Sequence, residues 1–201
     1  MTLEGDILEH LRLALKKPGD GSSDFDLHPD VNLPEGRKLR PAGVLIAILT
    51  ISGAPQVLLT KRASGLKHHP GQIAFPGGKQ DPVDVDQVDA ALREANEEVG
   101  LPRDLAQVIG TMPPHETVTG FQVTPVIAII RGPFVLRPEA GEVEEAFFVP
   151  LSHLTASENY IIESRRWRGT RRHYFAVPWG PYYIWGATAR MLRALAARLE
   201  T

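Results

Sequence analysis

The stretch FPGGKQDPVDVDQVDAALREANEEVGL, Phe75 to Leu101, constrains this chain more than any other. With successive residues about 100° apart around a helix, Val88, Ala91, Leu92, Ala95 and Val99 fall on one apolar stripe. That stripe must be buried, and a sheet is the expected partner. Asp84 or Asp86 can cap the start, and Gly100 followed by Leu101 and Pro102 stops it, so the predicted helix runs from Asp86 to Val99. Off the stripe stand Glu94, Glu97 and Glu98, related as i, i+3 and i+4, so their carboxyl groups can converge. No lysine or arginine stands four residues C-terminal to any of them. A solvated acidic face would relieve the repulsion with water, and a hard divalent cation would relieve it with charge. The FPGG loop that enters the helix lets backbone approach a ligand closely, which favours the cation.

Around this helix the chain is rich in β signals. The runs AGVLIAILTI, QVLLTKR, VTPVIAIIRG, EEAFFVPL and RHYFAVP are each bounded by Gly or Pro and several are β-branched. Two further helices are predicted, Leu3 to Lys17 and Ala187 to Leu199. Between the first helix and the first strand, residues 18–41 lack periodicity and read as a linker or draped arm. The expected organisation is an N-terminal helix and arm over residues 1–41 and one α+β domain with a mixed sheet over 42–201. The 201 residues suffice for a real core, and the net charge of −2 argues against a protein that coats nucleic acid. There is no cysteine, so disulfides, thiolate zinc sites and thiol nucleophiles are excluded. The start lacks the order of a secretory signal and the longest apolar run is too short to span a bilayer. The expectation is a cytoplasmic protein with no membrane or nucleic-acid partner.

The segment GGKQDPVDVDQVDAALREANEEVGL resembles the Nudix box, whose general form is G-x5-E-x7-R-E-U-x-E-E-x-G-U with U apolar. Gly78 begins it, and Arg93 to Leu101 matches its second half at every specified position. Asp84 stands where the upstream glutamate is expected, and eight residues rather than seven separate it from Arg93. The resemblance implies a Nudix-type α/β/α sandwich and hydrolysis of a nucleoside diphosphate linked to another group. It also implies Mg²⁺ or Mn²⁺, with Glu94 and Glu98 as principal ligands and Glu97 as an additional one. Arg93 and Glu97 are the candidate catalytic residues, Arg93 by holding a carboxylate in a charge-assisted fork. The general base is one of the three helix glutamates or a more distant one. Outside the box, Glu142, Glu144 and Glu145 offer a further ligand or base, or else strand-edge charges.

Upstream, LLTKRASGLKHHPGQIAFPGG resembles the signature of the coenzyme A pyrophosphatase branch of that family, L-L-T-x-R-[SA]-x3-R-x3-G-x3-F-P-G-G. Leu58, Leu59, Thr60, Arg62, Ala63, Gly71, Phe75, Pro76, Gly77 and Gly78 match it, while Lys67 replaces the second arginine. The longer spacing between Asp84 and Arg93 is typical of the branch. The resemblance implies a small-molecule substrate of coenzyme A type, bound through Arg62, Lys67, Gly77 and Gly78, with a homodimer left open. The alternatives are an ADP-ribose, dinucleotide or nucleoside triphosphate pyrophosphatase, or a non-catalytic binding module of the same fold. A second basic run, RRWRGTRR from Arg165 to Arg172, could meet a 3′-phosphate or a carboxylate, but its composition reads first as a hairpin with solvated arginines. His68, His69 and His115 read as loop residues. The aromatics of WGPYYIW could stack on adenine but read first as core.

Overall fold

A computed structural model describes residues 3–31, 33–34, 36–51, 53–167 and 169–200. The elements in chain order are α1 (Leu3–Lys16), β1 (Ser22–Ser23), β2 (Arg40–Ile51), β3 (Ala54–Arg62), β4 (Ile73–Ala74), β5 (Gly77–Lys79), α2 (Gln87–Val99), β6 (Ala106–Thr111), β7 (His115–Glu116), β8 (Phe121–Ile130), β9 (Val143–Pro150), α3 (Leu151–Thr155), β10 (Ile161–Trp167), β11 (Thr170–Ala176) and α4 (Ala187–Leu199). The five strong strand runs of the sequence are β2, β3, β8, β9 and β11. The strands β6 and β10 lacked a comparable signal, because their apolar residues are few and β10 carries two adjacent arginines.

The sheet is mixed, as expected. At its centre β2 and β8 run parallel, Arg40 to Ile48 against Phe121 to Ile129. The other edge of β2 is shared between two antiparallel partners. Its end pairs with β3, from Ile48 opposite Val57 to Ile51 opposite Ala54, and its start pairs with β5, Ala42 opposite Lys79 and Val44 opposite Gly77. Strand β9 closes on the far side of β3, and β6 and β7 pair with β8.

Alternation along β2 builds two cores, because successive side chains of a strand point to opposite faces. Leu45, Ala47 and Leu49 face α2 with Leu58, Val126, Ala128, Ala91, Ala95 and Val99. Ile46 and Ile48 face the other way, into a cluster with Leu11 of α1, Leu154 of α3 and Leu192 and Leu195 of α4. Helices on both faces of one sheet make an α/β/α sandwich. The apolar stripe of α2 lies on the sheet as predicted, with Ala91, Ala95 and Val99 fully buried and Val88 and Leu92 packed at its margin. Asp86 is the residue that caps α2, accepting from Asp89 N–H, and Gly100 closes it in the left-handed conformation.

The N-terminal helix shares this core. Leu11 and Ala14 are buried, and α1 is stapled to the end of α4 by Lys17 Nζ on the Arg198 carbonyl at 2.6 Å and Arg198 on the Lys17 carbonyl at 2.6 Å. The arm that follows is not structureless. Its Ser22–Ser23 pairs in parallel with His115–Glu116, which draws residues 22–28 along the sheet edge. Among the described residues no helix is long and apolar enough to cross a membrane.

The contact between α2 and β2 has no slack at Gly43. A Cβ there would lie 1.9 Å from the Gln87 carbonyl oxygen and 3.2 Å from the Ala91 Cβ. Both are held by the helix itself and cannot rotate away. Gly43→Ala is therefore expected to lower the unfolding free energy by about 1–3 kcal/mol, the usual range for forced overpacking, seen as a lower urea midpoint. A midpoint equal to the parent's would show that α2 can shift away from β2 without cost.

Candidate functional site

Arg93 sits at the middle of the glutamate helix and reaches back over the β5–α2 connection. Its Nε and Nη2 donate to the two carboxylate oxygens of Asp84 at 2.8 and 2.9 Å, a planar fork on a side chain only 2% exposed. Its Nη1 donates to Glu94 at 3.0 Å and to Glu97 at 2.9 Å, and Nη2 also reaches the Lys79 carbonyl. Asp84, the residue that departs from the box pattern, thus supplies the carboxylate for the fork. The Arg93 hydrogen bonds hold its carboxyl down at about 2 despite its burial. Repulsion among the helix glutamates is relieved from their N-terminal side, by an arginine one residue before Glu94 and four before Glu97. The absence of a cation C-terminal to them therefore does not leave them uncompensated. The residual imbalance is at Glu98, which Arg93 does not reach.

Glu98 is buried, and its Oε2 accepts from Gly77 N–H at 3.1 Å. Burial, helped by the neighbouring Glu94 charge, pushes its carboxyl up to about 8. Burial also raises Glu94, against the pull of Arg93. The third member of the group is Glu142, just before β9. One carboxylate oxygen each from Glu94, Glu98 and Glu142 lies within 4.8 Å of the others. Glu142 is brought there by backbone ties: Ala63 N–H donates to its carbonyl at 2.8 Å, its own N–H reaches the Glu139 carbonyl, and Glu139 N–H reaches the Glu98 carbonyl. Three hard oxygen donors around a buried carboxylate that lacks a full cationic partner suit Mg²⁺ or Mn²⁺. These residues could hold such an ion. Glu97 is placed differently, its side chain 58% exposed and bound to Arg93, so the structure does not bring it into the trio.

The double glycine is shaped by this cluster. Gly77 has a φ of 150°, and a Cβ on Gly78 would lie 2.5 Å from a Glu94 carboxylate oxygen. Gly77 and Gly78 are also the floor of a cavity of about 320 Å³, near the lower end of the range for small-molecule sites. Its wall carries Arg62, His69, Lys79, Arg165, Arg172 and Trp185. Among the described residues, the Arg62 Nε is a buried side-chain nitrogen with no hydrogen-bond partner. Burial and the nearby Arg62 charge lower the His69 imidazole. The start of α4, Gly186 to Thr188, joins the wall, and no side chain caps it.

Other predicted residues fall elsewhere. Lys67 is exposed on the loop before Gly71 and does not line the cavity. Lys61 pairs with Glu144 at 2.6 Å, and Glu145 accepts from the Tyr182 hydroxyl, so these are edge charges satisfied locally. His115 is not a loop residue. It is fully buried on β7, with Ser22 Oγ at 2.8 Å from Nδ1 and Asp24 Oδ1 at 3.2 Å from Nε2. The basic run does form a hairpin, β10–β11, but Arg165 and Arg172 turn to the cavity. Arg168 of that run lies outside the described residues. The signal for the turn was the strand period of two, which puts directly paired residues on one face.

Fold and carboxylate cluster together fit the class of small-molecule hydrolases built on such a sandwich. A model of the NUDIX domain matches residues 39–168, and the chain belongs to the Nudix family. Proteins named "Uncharacterized Nudix hydrolase NudL" are similar to it. The one from Enterobacter sp. (strain 638) is 42% identical over 161 residues, 80% of this chain and 83% of that protein. The one from Pectobacterium atrosepticum is 37% identical over 180 residues, 88% and 91% respectively. The crystal structure of a MutT/nudix family protein from Enterococcus faecalis shares the fold, with a TM-score of 0.50 and 16% identity over 85% of this chain and 65% of that one. Nudix hydrolases generally use divalent metal ions and act on small molecules.

The Arg93–Asp84 fork makes a stability prediction with a definite sign. Asp84 has a folded pKa of about 2 against an ordinary 3.8. Its contribution is complete above the ordinary value and is lost as pH falls from there through about 2. Asp84→Asn should cost about 2 kcal/mol at neutral pH, as for loss of charge-assisted hydrogen bonds. The gap between variant and parent in chemical denaturation should close as the acid limb is descended. A gap that persists unchanged to the bottom of that limb would refute the assignment.

Proposed function

We propose that this protein hydrolyses the diphosphate bond of coenzyme A or its thioesters, giving adenosine 3′,5′-bisphosphate and 4′-phosphopantetheine or its acyl form. The observation that carries the reading is the junction of two opposite charge sets in one place. The carboxylate trio Glu94, Glu98 and Glu142 backs the Gly77–Gly78 floor of a cavity whose wall is arginine-rich. A substrate with a diphosphate and further anionic groups fits both sets, and the match of residues 58–78 to the coenzyme A branch points to the same substrate.

Glu94 and Glu98 would be the principal ligands of Mg²⁺ or Mn²⁺, with Glu142 beside them and Glu97 as an additional ligand once its link to Arg93 is given up. When bound, the metal neutralises diphosphate charge and acidifies a water. In the reaction a water oxygen forms a bond to one phosphorus, the bridging oxygen leaves with the other phosphate, and the water's protons pass to carboxylate and solvent. Arg93 holds Glu94 in orientation, and the backbone of Gly77 and Gly78 leaves room for phosphate oxygens. Arg62, with an unpartnered Nε on the cavity wall, would receive a phosphate. Lys67 would add charge at the mouth from its exposed loop. ADP-ribose, dinucleotides and nucleoside triphosphates are the competing substrates, distinguished by direct competition.

Incubation with coenzyme A and Mg²⁺ or Mn²⁺ should release both products, and chelation should stop it. Absence of turnover with either metal, across coenzyme A and several acyl thioesters, would sink the substrate assignment. Glu98→Gln should reduce kcat at least ~100-fold with the fold retained, and a near-parental rate at saturating Mg²⁺ would remove Glu98 from the ligand set. Arg62→Ala should raise KM more than it lowers kcat if the contact is to a phosphate remote from the reacting centre. The opposite split would place Arg62 at the bond that breaks.

A further inference from the structure

On the β10–β11 hairpin Arg165 stands directly opposite Arg172. Directly paired residues leave the same face with Cβ atoms about 5 Å apart, and like charges in that relation destabilise the ladder. The hairpin spends stability on this pair and aims both members at the cavity. Each guanidinium is set against an aromatic ring. Arg165 lies 4.1 Å from the Trp185 ring centroid and Arg172 lies 5.6 Å from that of Phe25. Trp185 is in turn braced by Tyr174, with centroids 5.0 Å apart. At that distance the Trp185 ring covers one face of the Arg165 guanidinium, whose donors lie in the plane of the group.

The N-terminal arm holds this wall in place. Phe25 lies under Arg172, and the His28 ring contacts the backbone of His173 at about 3 Å. Asp26 binds Arg190 of α4 at 2.7 Å. Arg172, Trp185 and the arm all lie outside residues 39–168, the part matched by the family domain. This part of the cavity wall is therefore supplied by segments that the matched domain does not include.

We propose that Arg165 and Arg172 form a second anion subsite that takes a phosphate monoester carried on the ribose of the substrate's nucleotide half. This rests on the coenzyme A reading above. A carboxylate satisfies one guanidinium fork, whereas a monoester offers three terminal oxygens and nearly two charges, enough for two forks. The cavity of about 320 Å³ includes both the arginine pair and the Gly77–Gly78 floor. The monoester and the diphosphate must then belong to one nucleotide.

Two measurements test it. The first is calorimetric binding of adenosine 3′,5′-bisphosphate and of adenosine 5′-monophosphate in magnesium buffer, to the full chain and to Arg165→Gln and Arg172→Gln. The bisphosphate is expected to bind at least ~10-fold more tightly, the value of a charge-assisted contact, and each substitution should erase most of that ratio. The second is the ratio of kcat/KM for coenzyme A over 3′-dephospho-coenzyme A, which should fall by a similar factor in both variants. Loss of packing would lower both substrates together and leave the ratio alone. Equal binding of the two nucleotides by the parent protein, or an unchanged ratio in folded variants, overturns the subsite while leaving coenzyme A hydrolysis standing. If no thioester or coenzyme A is turned over but the bisphosphate preference persists and is lost in the variants, the subsite holds and the hydrolysis reading fails.

Discussion

The site depends first on one cation placed among carboxylates. Arg93 is 17% exposed and lies within ion-pair distance of Asp81, Asp84, Glu94 and Glu97. Without it, the first three turns of α2 would present an array of negative charge to a loop that itself carries Asp81 and Asp84. With it, the bidentate link to Asp84 ties the loop after β5 to the helix, and the link to Glu94 fixes that carboxylate beneath Gly78. A lysine could offset the charge but could not fork Asp84 while still reaching two glutamates, because its donors radiate from one point. The geometry of the guanidinium therefore fixes both the entry of the helix and the orientation of a candidate ligand.

That local arrangement is useful only because the sheet delivers its parts together. Strand β2 divides one edge between β3 and β5, so the glycine loop and the strand ending in Arg62 come from the same strand's flank. The close seat of α2 over Gly43 then places Glu98 against Gly77, and the return of the chain into β9 brings Glu142 beside both. The order of elements in the chain is scattered, yet each site residue lies at the end of a strand or on the helix packed over it. Rigid elements support the carboxylates, and a two-stranded hairpin with an arm behind it supports the arginines.

Much of this was legible in the sequence, and the reasons differ by residue. The stripe of Val88, Ala91, Leu92, Ala95 and Val99 announced its burial through period alone, and the box pattern named Arg93, Glu94, Glu97 and Glu98, of which Glu97 lies outside the carboxylate trio. Glu142 could be seen only as one acid among three near a strand, because its position depends on the backbone hydrogen bond from Ala63 and on the one from Glu139 to Glu98. These are contacts across distant sequence that no local pattern encodes. Glu144 and Glu145 looked in the sequence like Glu142 and proved to be satisfied by neighbours. The arm from Ser22 to His28 was opaque for a simpler reason. Two-residue strands and single side-chain anchors such as Asp24 and His28 carry no periodicity.

A cavity that holds arginines on one wall and glutamates behind its floor raises the question of why the two sets do not collapse onto each other. The answer lies in how each group is restrained. Glu98 is fixed by Gly77 N–H in a buried niche, Glu94 by Arg93, and Glu142 through the carbonyl bond to Ala63. Arg165 is restrained by Trp185, while Phe25 sits beside Arg172. The charges are thus placed by contacts made before any ligand arrives. In a partly enclosed space that preorganisation is worth more than in water, since no dipoles need to reorient as charge develops. Under the reading proposed above, a molecule with clustered anionic groups that can also share a divalent ion is the ligand that such a field would select.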